Sequence, residues 1–199
     1  MNNLDFYLTV ITMIFAYILG CLNGGYYYGK IVRKTDIRLL GSHNPGALNT
    51  LKVFGVGPFI GVFLIDFSKG AVATALAFYL DLHEFAVLAA MASVVIGHIY
   101  PIQMRFKGGK GVAAFLGSLA VYDPGLLGVT VLLFIASFPV VRKFSITGLV
   151  ALATLPLVAM ILHGDELELI FLVTLITLII YRHTENIQDY VSTRFDTRK

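Results

Sequence analysis

The chain has 199 residues, 57% of them hydrophobic and 14% charged, with a formal net charge of +3 and a mean hydropathy of +0.81. Soluble domains carry roughly 25% charged and about 45–50% apolar residues, so this composition excludes an ordinary soluble domain. The one cysteine, Cys21, excludes a disulfide framework and a Cys-based metal site.

Apolar segments run at about 6–29, 53–80, 85–102, 111–121, 125–141, 146–162 and 169–181. The first opens on MNNLDFYLTV, which has no basic n-region and is followed by no small-residue cleavage site, so it reads as a span rather than a cleaved signal peptide. The connections alternate in sign. Asp5, then Asp81 and Glu84, then Asp123, then Asp165, Glu166 and Glu168 mark every second end, without Lys or Arg. The other ends hold Lys30, Arg33, Lys34, Arg38 and Lys52; Arg105, Lys107 and Lys110; Arg142 and Lys143; and Arg182, Arg194, Arg198 and Lys199. Positively charged loops stay in the cytoplasm. The pattern predicts an all-α polytopic membrane protein of about seven transmembrane helices, N-terminus outside and C-terminus cytoplasmic.

Residues 111–121 rise only ~16 Å as a helix, against a hydrocarbon core of about 30 Å. They are expected to form a half-helix that begins at RFKGGKG and turns at Tyr122-Asp123-Pro124-Gly125. Five full spans with re-entrant short segments are the alternative topology. No internal repeat or linker divides the chain, which reads as a single domain, 1–199.

Two polar stretches on the basic side carry the chemistry. The first, GSHNPGALNTLK (Gly41 to Lys52), offers Ser42, His43, Asn44 and Asn49 around an Asn-Pro-Gly turn in which Gly46 can take positive φ. Backbone donors at a helix N-terminus just beyond such a turn favour an anion. The same residues also suit a capped turn with Ser42 or Asn44 as N-cap. The second, GHIYPIQMRFKGGKGVA, places His98 and Pro101 before Arg105, Lys107, Gly108, Gly109 and Lys110. Glycines let backbone N–H groups approach a phosphate and lysines supply point charge. The spacing is not that of a Walker loop. A loop that only fixes topology would need the cations and not the glycines.

Within the second long segment, Asp66 and Lys69 lie at i and i+3 on one helical face, as either an internally neutralised pair or part of a site. His183 and Asn186 stand at i and i+3 just past the last segment, where the chain can continue as helix. His43, His98 and His183 are too scattered for zinc ligands, no paired carboxylates suggest two-metal chemistry, and His83 and His163 read as solvated outer-loop residues. Together these features describe a cationic, glycine-rich site with membrane walls, suited to a phosphorylated polar substrate meeting an apolar one. A transporter of organic phosphates would use similar parts, but the charged loops lie on one side and no inverted repeat is visible.

The motifs GSHNPGALN, DFSKG, GHIYPIQMRFKGGKGVA and RHTENI, in this order and spacing, resemble the acyl-phosphate-dependent glycerol-3-phosphate acyltransferases of bacteria, the PlsY family, over nearly the whole chain. The resemblance implies a seven-helix enzyme of the bacterial inner membrane with its active site facing the cytoplasm. It would move an acyl chain from acyl phosphate to the 1-hydroxyl of glycerol 3-phosphate, giving lysophosphatidic acid and phosphate. No metal or other cofactor, nucleic acid or obligatory protein partner is implied. Matched by motif, Ser42, Asn44, Gly46, Asn49, Lys52, Lys107, Gly108, Gly109 and Ser145 are the expected phosphate-binding residues. His183, Asn186 and Lys110 are the expected catalytic residues, and Asp66, Lys69 and His98 the supporting ones. Lys52 stands where the family generally has Arg, which alone clamps phosphate in bidentate fashion. His43 and Leu48 replace residues that are usually small or hydroxylated, and the tail lacks the usual Gly-x-Glu pattern.

Overall fold

In the computed structural model, residues 3–195 are described; Arg198 and Lys199, counted above among the tail cations, lie outside them. The described residues form ten α-helices and no strand. Five helical stretches are long and apolar enough to cross a membrane: Asn3–Cys21, Val56–Tyr79, Glu84–Met104, Pro124–Val141 and Phe144–His163. A sixth is reached if the bent pair Glu166–Tyr181 and Thr184–Arg194 counts as one, and Val112–Tyr122 is a shorter apolar helix. The chain divides into two compact units, Met1–Tyr122 and Asp123–Lys199.

In the first unit the expected span 6–29 is broken. Helix α1 (Asn3–Cys21) stops, Leu22 and extended Asn23 follow, and α2 (Gly24–Ile31) begins. The cause lies on α4 (Val56–Tyr79). The Lys69 ammonium reaches the carbonyls of Gly20 at 2.9 Å and Leu22 at 2.7 Å, and the Asp66 carboxylate accepts from Gly24 N at 3.2 Å. A cation thus meets the end of α1 and an anion the start of α2, each with the sign the helix dipole favours. The segment from residue 53 is also divided. Helix α3 (Ala47–Phe54) ends at Gly55, whose φ of 90° lets α4 leave in a new direction.

Helix α5 (Glu84–Ile99), extended by a 3-10 turn at Ile102–Met104, is the hub of this unit. In its 18-residue apolar window 72% of the residues are buried, against 28% for α1 and 33% for α4. Small residues allow the close packing. A side chain on Gly20 would overlap the Val94 carbonyl of α5, and one on Gly97 the Tyr17 carbonyl of α1. On α4, Gly70 meets the Ala114 carbonyl of α6 (Val112–Tyr122), and Gly117 of α6 meets the Phe67 carbonyl. Such contacts drive association of helices that gain little from apolar burial in lipid. The half-helix of the expectation is α6: it has 11 residues, starts directly after the glycine-lysine stretch and stops before Asp123.

The second unit holds α7 (Pro124–Val141), α8 (Phe144–His163), α9 (Glu166–Tyr181) and α10 (Thr184–Phe195). Asp123 caps α7 by accepting from Leu126 N at 2.9 Å, with Pro124 in the first turn; Asp165 caps α9 by accepting from Glu168 N at 2.7 Å. Gly164, at φ 69°, ends α8. His163 is not simply solvated as expected. Its ring lies 2.7 Å from the buried Glu168 carboxylate and 3.2 Å from Asp123, so it joins the caps of α7 and α9.

Candidate active site

The loop between α2 and α3 is built around Asp36 and Arg38. The Asp36 carboxylate accepts from Arg38 N at 3.0 Å, Nε at 3.0 Å and Nη2 at 2.8 Å, with Lys30 Nζ at 3.5 Å. These charge-assisted bonds from Arg38 hold its pKa down at about 2, against a partial burial that acts the other way. The remaining Arg38 nitrogen, Nη1, donates to the Met104 carbonyl at 3.1 Å. One guanidinium therefore ties the first loop to the start of the glycine-lysine loop. Sequence reasoning counted Arg38 only as a topology charge; the available signal was an Asp and an Arg two apart in a short polar stretch.

Asn49 shapes the same loop from inside. It is buried, its Oδ1 accepts from Ser42 N at 2.8 Å, and its Nδ2 donates to Leu40 O at 2.9 Å and Ile37 O at 3.4 Å. Its carboxamide is thus engaged with the loop's own backbone. The turn differs in detail from the expectation. Gly46 is extended at φ −92° and is itself the N-cap of α3, without a side-chain cap bond. Positive φ falls instead at Gly41 (59°) and His43 (56°). Gly41 is glycine for a second reason: a Cβ there would overlap Asn49 Oδ1. Ser42 is exposed, Asn44 half-buried, and Lys52 exposed on α3.

The RFKGGKG stretch answers for its glycines in an unexpected way. Gly108 N donates to Ile99 O and Gly109 N to His98 O, each at 3.0 Å. Those carbonyls end α5, where a helix leaves its last acceptors unsatisfied. A side chain on Gly108 would overlap the His98 carbonyl and the Pro101 ring, and one on Gly109 would overlap His98 Nε2. In this structure these two amides dock the loop on α5. Before them, Arg105 and Phe106 both hold positive φ, 55° and 59°, a conformation costing roughly 1–2 kcal/mol per residue for side-chain-bearing residues. Arg38 on Met104 O, and Phe106 N on Pro101 O at 3.0 Å, hold that turn. After them, Gly111 at φ 89° leads into α6, whose first-turn amides have no intrahelical acceptors. Lys107 is exposed and Lys110 half-buried on this loop.

Beneath the loop lies a buried cluster. Lys69 Nζ is 2.9 Å from Asp66 Oδ1 and 2.7 Å from His98 Nδ1, in addition to the two carbonyls that end α1. All three side chains are 3% exposed or less. The pair on α4 thus binds the α1–α2 break to α5 and is in contact with the residue against which Gly109 packs.

In the second unit, Ser145 is half-buried in the first turn of α8. His183 and Asn186 do not share one continuous helix, because α9 and α10 meet at 62° and His183 stands in the break. His183 is buried, its N donates to Ile180 O at 2.9 Å, and its Nδ1 lies 2.8 Å from Ile179 O. A carbonyl can only accept, so Nδ1 carries a proton and Nε2 is the ring nitrogen that can serve as a base. Among the described residues, no group of three or more His, Cys, Asp or Glu is arranged to hold a metal ion.

The fold and these loops define a polytopic helical membrane protein with cationic, backbone-rich loops suited to anions. The chain belongs to the glycerol-3-phosphate acyltransferase family, whose model matches residues 10–193, and is an acyltransferase. It is 36% identical over 174 residues to glycerol-3-phosphate acyltransferase 1 of Bacillus cereus, covering 87% of this chain and 95% of that one. Its fold matches the crystal structure of PlsY (YgiH), an integral membrane glycerol 3-phosphate acyltransferase, in its glycerol 3-phosphate form. The TM-score is 0.87 at 30% identity, over 94% of this chain and 93% of the other. The lysophosphatidic acid form of the same protein matches with a TM-score of 0.83 at the same identity and coverage.

Proposed function

We propose that this enzyme transfers a fatty acyl group from acyl phosphate to the 1-hydroxyl of glycerol 3-phosphate, releasing phosphate and lysophosphatidic acid. The observation that carries this reading is the pairing of two cation-bearing loops through Arg38, which donates both to Asp36 and to the Met104 carbonyl. Its family setting is a likeness to an enzyme seen with glycerol 3-phosphate and with lysophosphatidic acid.

The chemistry needs little covalent help. Acyl phosphate is already activated, so the hydroxyl oxygen attacks the acyl carbon, the bond from that carbon to the phosphate oxygen breaks, and phosphate leaves with the electron pair. Two anions must be held close together, and Lys52, Lys107 and Lys110 supply the positive charge. Lys110 and prearranged N–H groups at the start of α6 stabilise charge developing on the carbonyl and leaving phosphate. Ser42, Asn44 and Ser145 supply hydrogen bonds to phosphate, while Gly46, Asn49, Gly108 and Gly109 keep the loops in shape. His183, with Nε2 as its basic nitrogen, takes the hydroxyl proton, and Asn186 orients the substrate. Asp66, Lys69 and His98 support the loop from below.

The alternation of charge favours seven membrane segments, an outer N-terminus and a cytoplasmic site in the bacterial inner membrane. Residues 1–199 are read as one catalytic domain. Purified enzyme given acyl phosphate and glycerol 3-phosphate should form lysophosphatidic acid. Product formed only from a different acyl donor would sink the donor assignment, and cysteines at 35 and 83 that label from the same side would sink the topology.

A further inference from the structure

Two connections lead from the start of α2 to the loop after α5. The first runs through Arg38. Its Nε and Nη2 donate to the two Asp36 oxygens at 3.0 Å and 2.8 Å, and its Nη1 donates to Met104 O at 3.1 Å. The guanidinium carbon lies 4.8 Å from the centre of the Tyr26 ring, and the Arg38 carbonyl is 3.1 Å from Nδ1 of His43. The second runs through Gln103. Its Nε2 donates to Cys21 O at 2.6 Å and to the Tyr27 hydroxyl at 3.3 Å, and the Tyr26 and Tyr27 rings meet edge to face at 5.4 Å.

These contacts converge where the backbone is strained. Met104 ends the turn Ile102–Met104, and Arg105 and Phe106 after it both hold positive φ. Side-chain-bearing residues rarely adopt that conformation, and it persists only where the surroundings over-determine it. Tyr27 through Gln103, and Tyr26 through Arg38, supply that restraint from α2. Only arginine suits the second link. A planar guanidinium offers a fork to a carboxylate, a further donor to a carbonyl and a flat face to an aromatic ring, whereas an ammonium is a point charge. Each of the three Arg38 nitrogens has a protein acceptor, so its geometry is that of a strut between the two loops.

We propose that Arg38 is a positioning residue for acyl transfer: carried on the face of Tyr26, it sets the spacing between the loop after α2 and the loop after α5, acting through the Met104 carbonyl and touching neither substrate. This role rests on the phosphate binding proposed for those loops. Each loop keeps its own substrate contacts when the strut is altered, so binding is retained. What changes is the distance between the acyl carbon and the attacking hydroxyl, to which turnover is far more sensitive than affinity.

Arg38→Lys keeps the charge and loses the fork and the flat face. Acyl transfer should be measured well below the melting temperature in detergent, with each substrate varied in turn. In Arg38→Lys, kcat should fall about tenfold or more while both KM values stay within about threefold, the split expected when reacting atoms are misplaced. Tyr26→Leu, which removes the ring beneath an intact guanidinium, should lower kcat in the same way. Tyr26→Phe, which keeps the ring, should lower it less. Wild-type kcat in Arg38→Lys, whatever its melting temperature, would leave Arg38 a structural role only and overturn the proposal. A rise in one KM with kcat unchanged would mark it as a substrate contact and overturn it equally. Should Arg38→Lys not fold, the two Tyr26 variants decide: equal kcat in both overturns the role, and a lower kcat in Tyr26→Leu with both KM values kept supports it. Lys110→Gln in the same assay tests the loop separately. Near-wild-type KM and turnover there overturn the phosphate role of the loop; their loss, with wild-type kcat in Arg38→Lys, overturns only the role of Arg38.

Discussion

Gly109 and His98 are in direct contact: a methyl group on Gly109 would be driven into the Nε2 edge of the imidazole. That ring is held from behind by Lys69 at 2.7 Å and cannot retreat without breaking a buried cluster. Gly109 is thus glycine because a helix end and a histidine press on it.

Gly109→Ala should therefore behave as an overpacking variant. Forcing a methyl into a filled site costs typically 1–3 kcal/mol, so its melting temperature and activity should fall together. Gly57→Ala, where an added Cβ meets nothing within 4 Å, is the control and should leave both near wild type. A Gly109→Ala enzyme with unchanged stability would show that the His98 contact yields easily.

Lys52 is exposed on α3. As a phosphate-binding cation, its removal in Lys52→Ala should raise the KM for glycerol 3-phosphate about tenfold or more. Lys52→Arg, which adds a bidentate fork, should keep activity and lower that KM. An unchanged KM in the alanine variant would leave Lys52 with topology alone.

Acid should loosen the first loop before it affects the rest. Asp36, ordinarily near 3.8, is held at about 2 by Arg38. A carboxyl whose folded pKa is depressed contributes stability above its unfolded pKa and loses it as pH falls through the folded one. The contribution is about 2 kcal/mol at neutral pH, present above pH 4 and lost between about pH 4 and pH 2. In Asp36→Asn, melting temperature should be lower at pH 7 and should change less between pH 5 and pH 3. An identical pH dependence in both proteins would contradict the role given to the Asp36–Arg38 pair.

Much of this arrangement is legible in the sequence because it follows from hydropathy and turn chemistry. Val112–Tyr122 is too short to span, begins at a glycine and stops before Asp-Pro-Gly, and α6 has those limits. The breaks at Leu22–Asn23 and Gly55 are not legible in the same way. Gly20 and Asn23-Gly24-Gly25 stand at the first break and Gly55 at the second, but glycines in membrane helices also serve close packing; α1 ends where α4 delivers Lys69 and Asp66, a tertiary cause that local pattern does not carry. The roles of Gly108 and Gly109 are hidden for a related reason: a glycine needed for a ligand and one needed for a neighbouring helix look alike until the neighbour is in place. Arg38 reads as one topology charge among many until its partners, Asp36 and the Met104 carbonyl, are seen.

His183 offers a direct test of proton transfer. Its Nδ1 donates to Ile179 O at 2.8 Å, which leaves Nε2 as the base. His183→Asn retains a short amide donor for that carbonyl and removes the basic nitrogen. Turnover should fall by about 10²-fold or more, the range for a general base, with little change in melting temperature. A loss of less than about threefold would assign the proton to a phosphate oxygen of the substrate instead.

The central claim is that acyl phosphate is the donor and glycerol 3-phosphate the acceptor in a metal-independent transfer. The most direct measurement is product formation by purified enzyme in detergent, given acyl phosphate with glycerol 3-phosphate, in the presence and absence of a chelator. The account predicts stoichiometric release of lysophosphatidic acid and phosphate, unchanged by chelation and abolished in Lys110→Gln. No product from acyl phosphate, together with uptake of glycerol 3-phosphate into proteoliposomes, would contradict it and mark the cationic loops as part of a transport path.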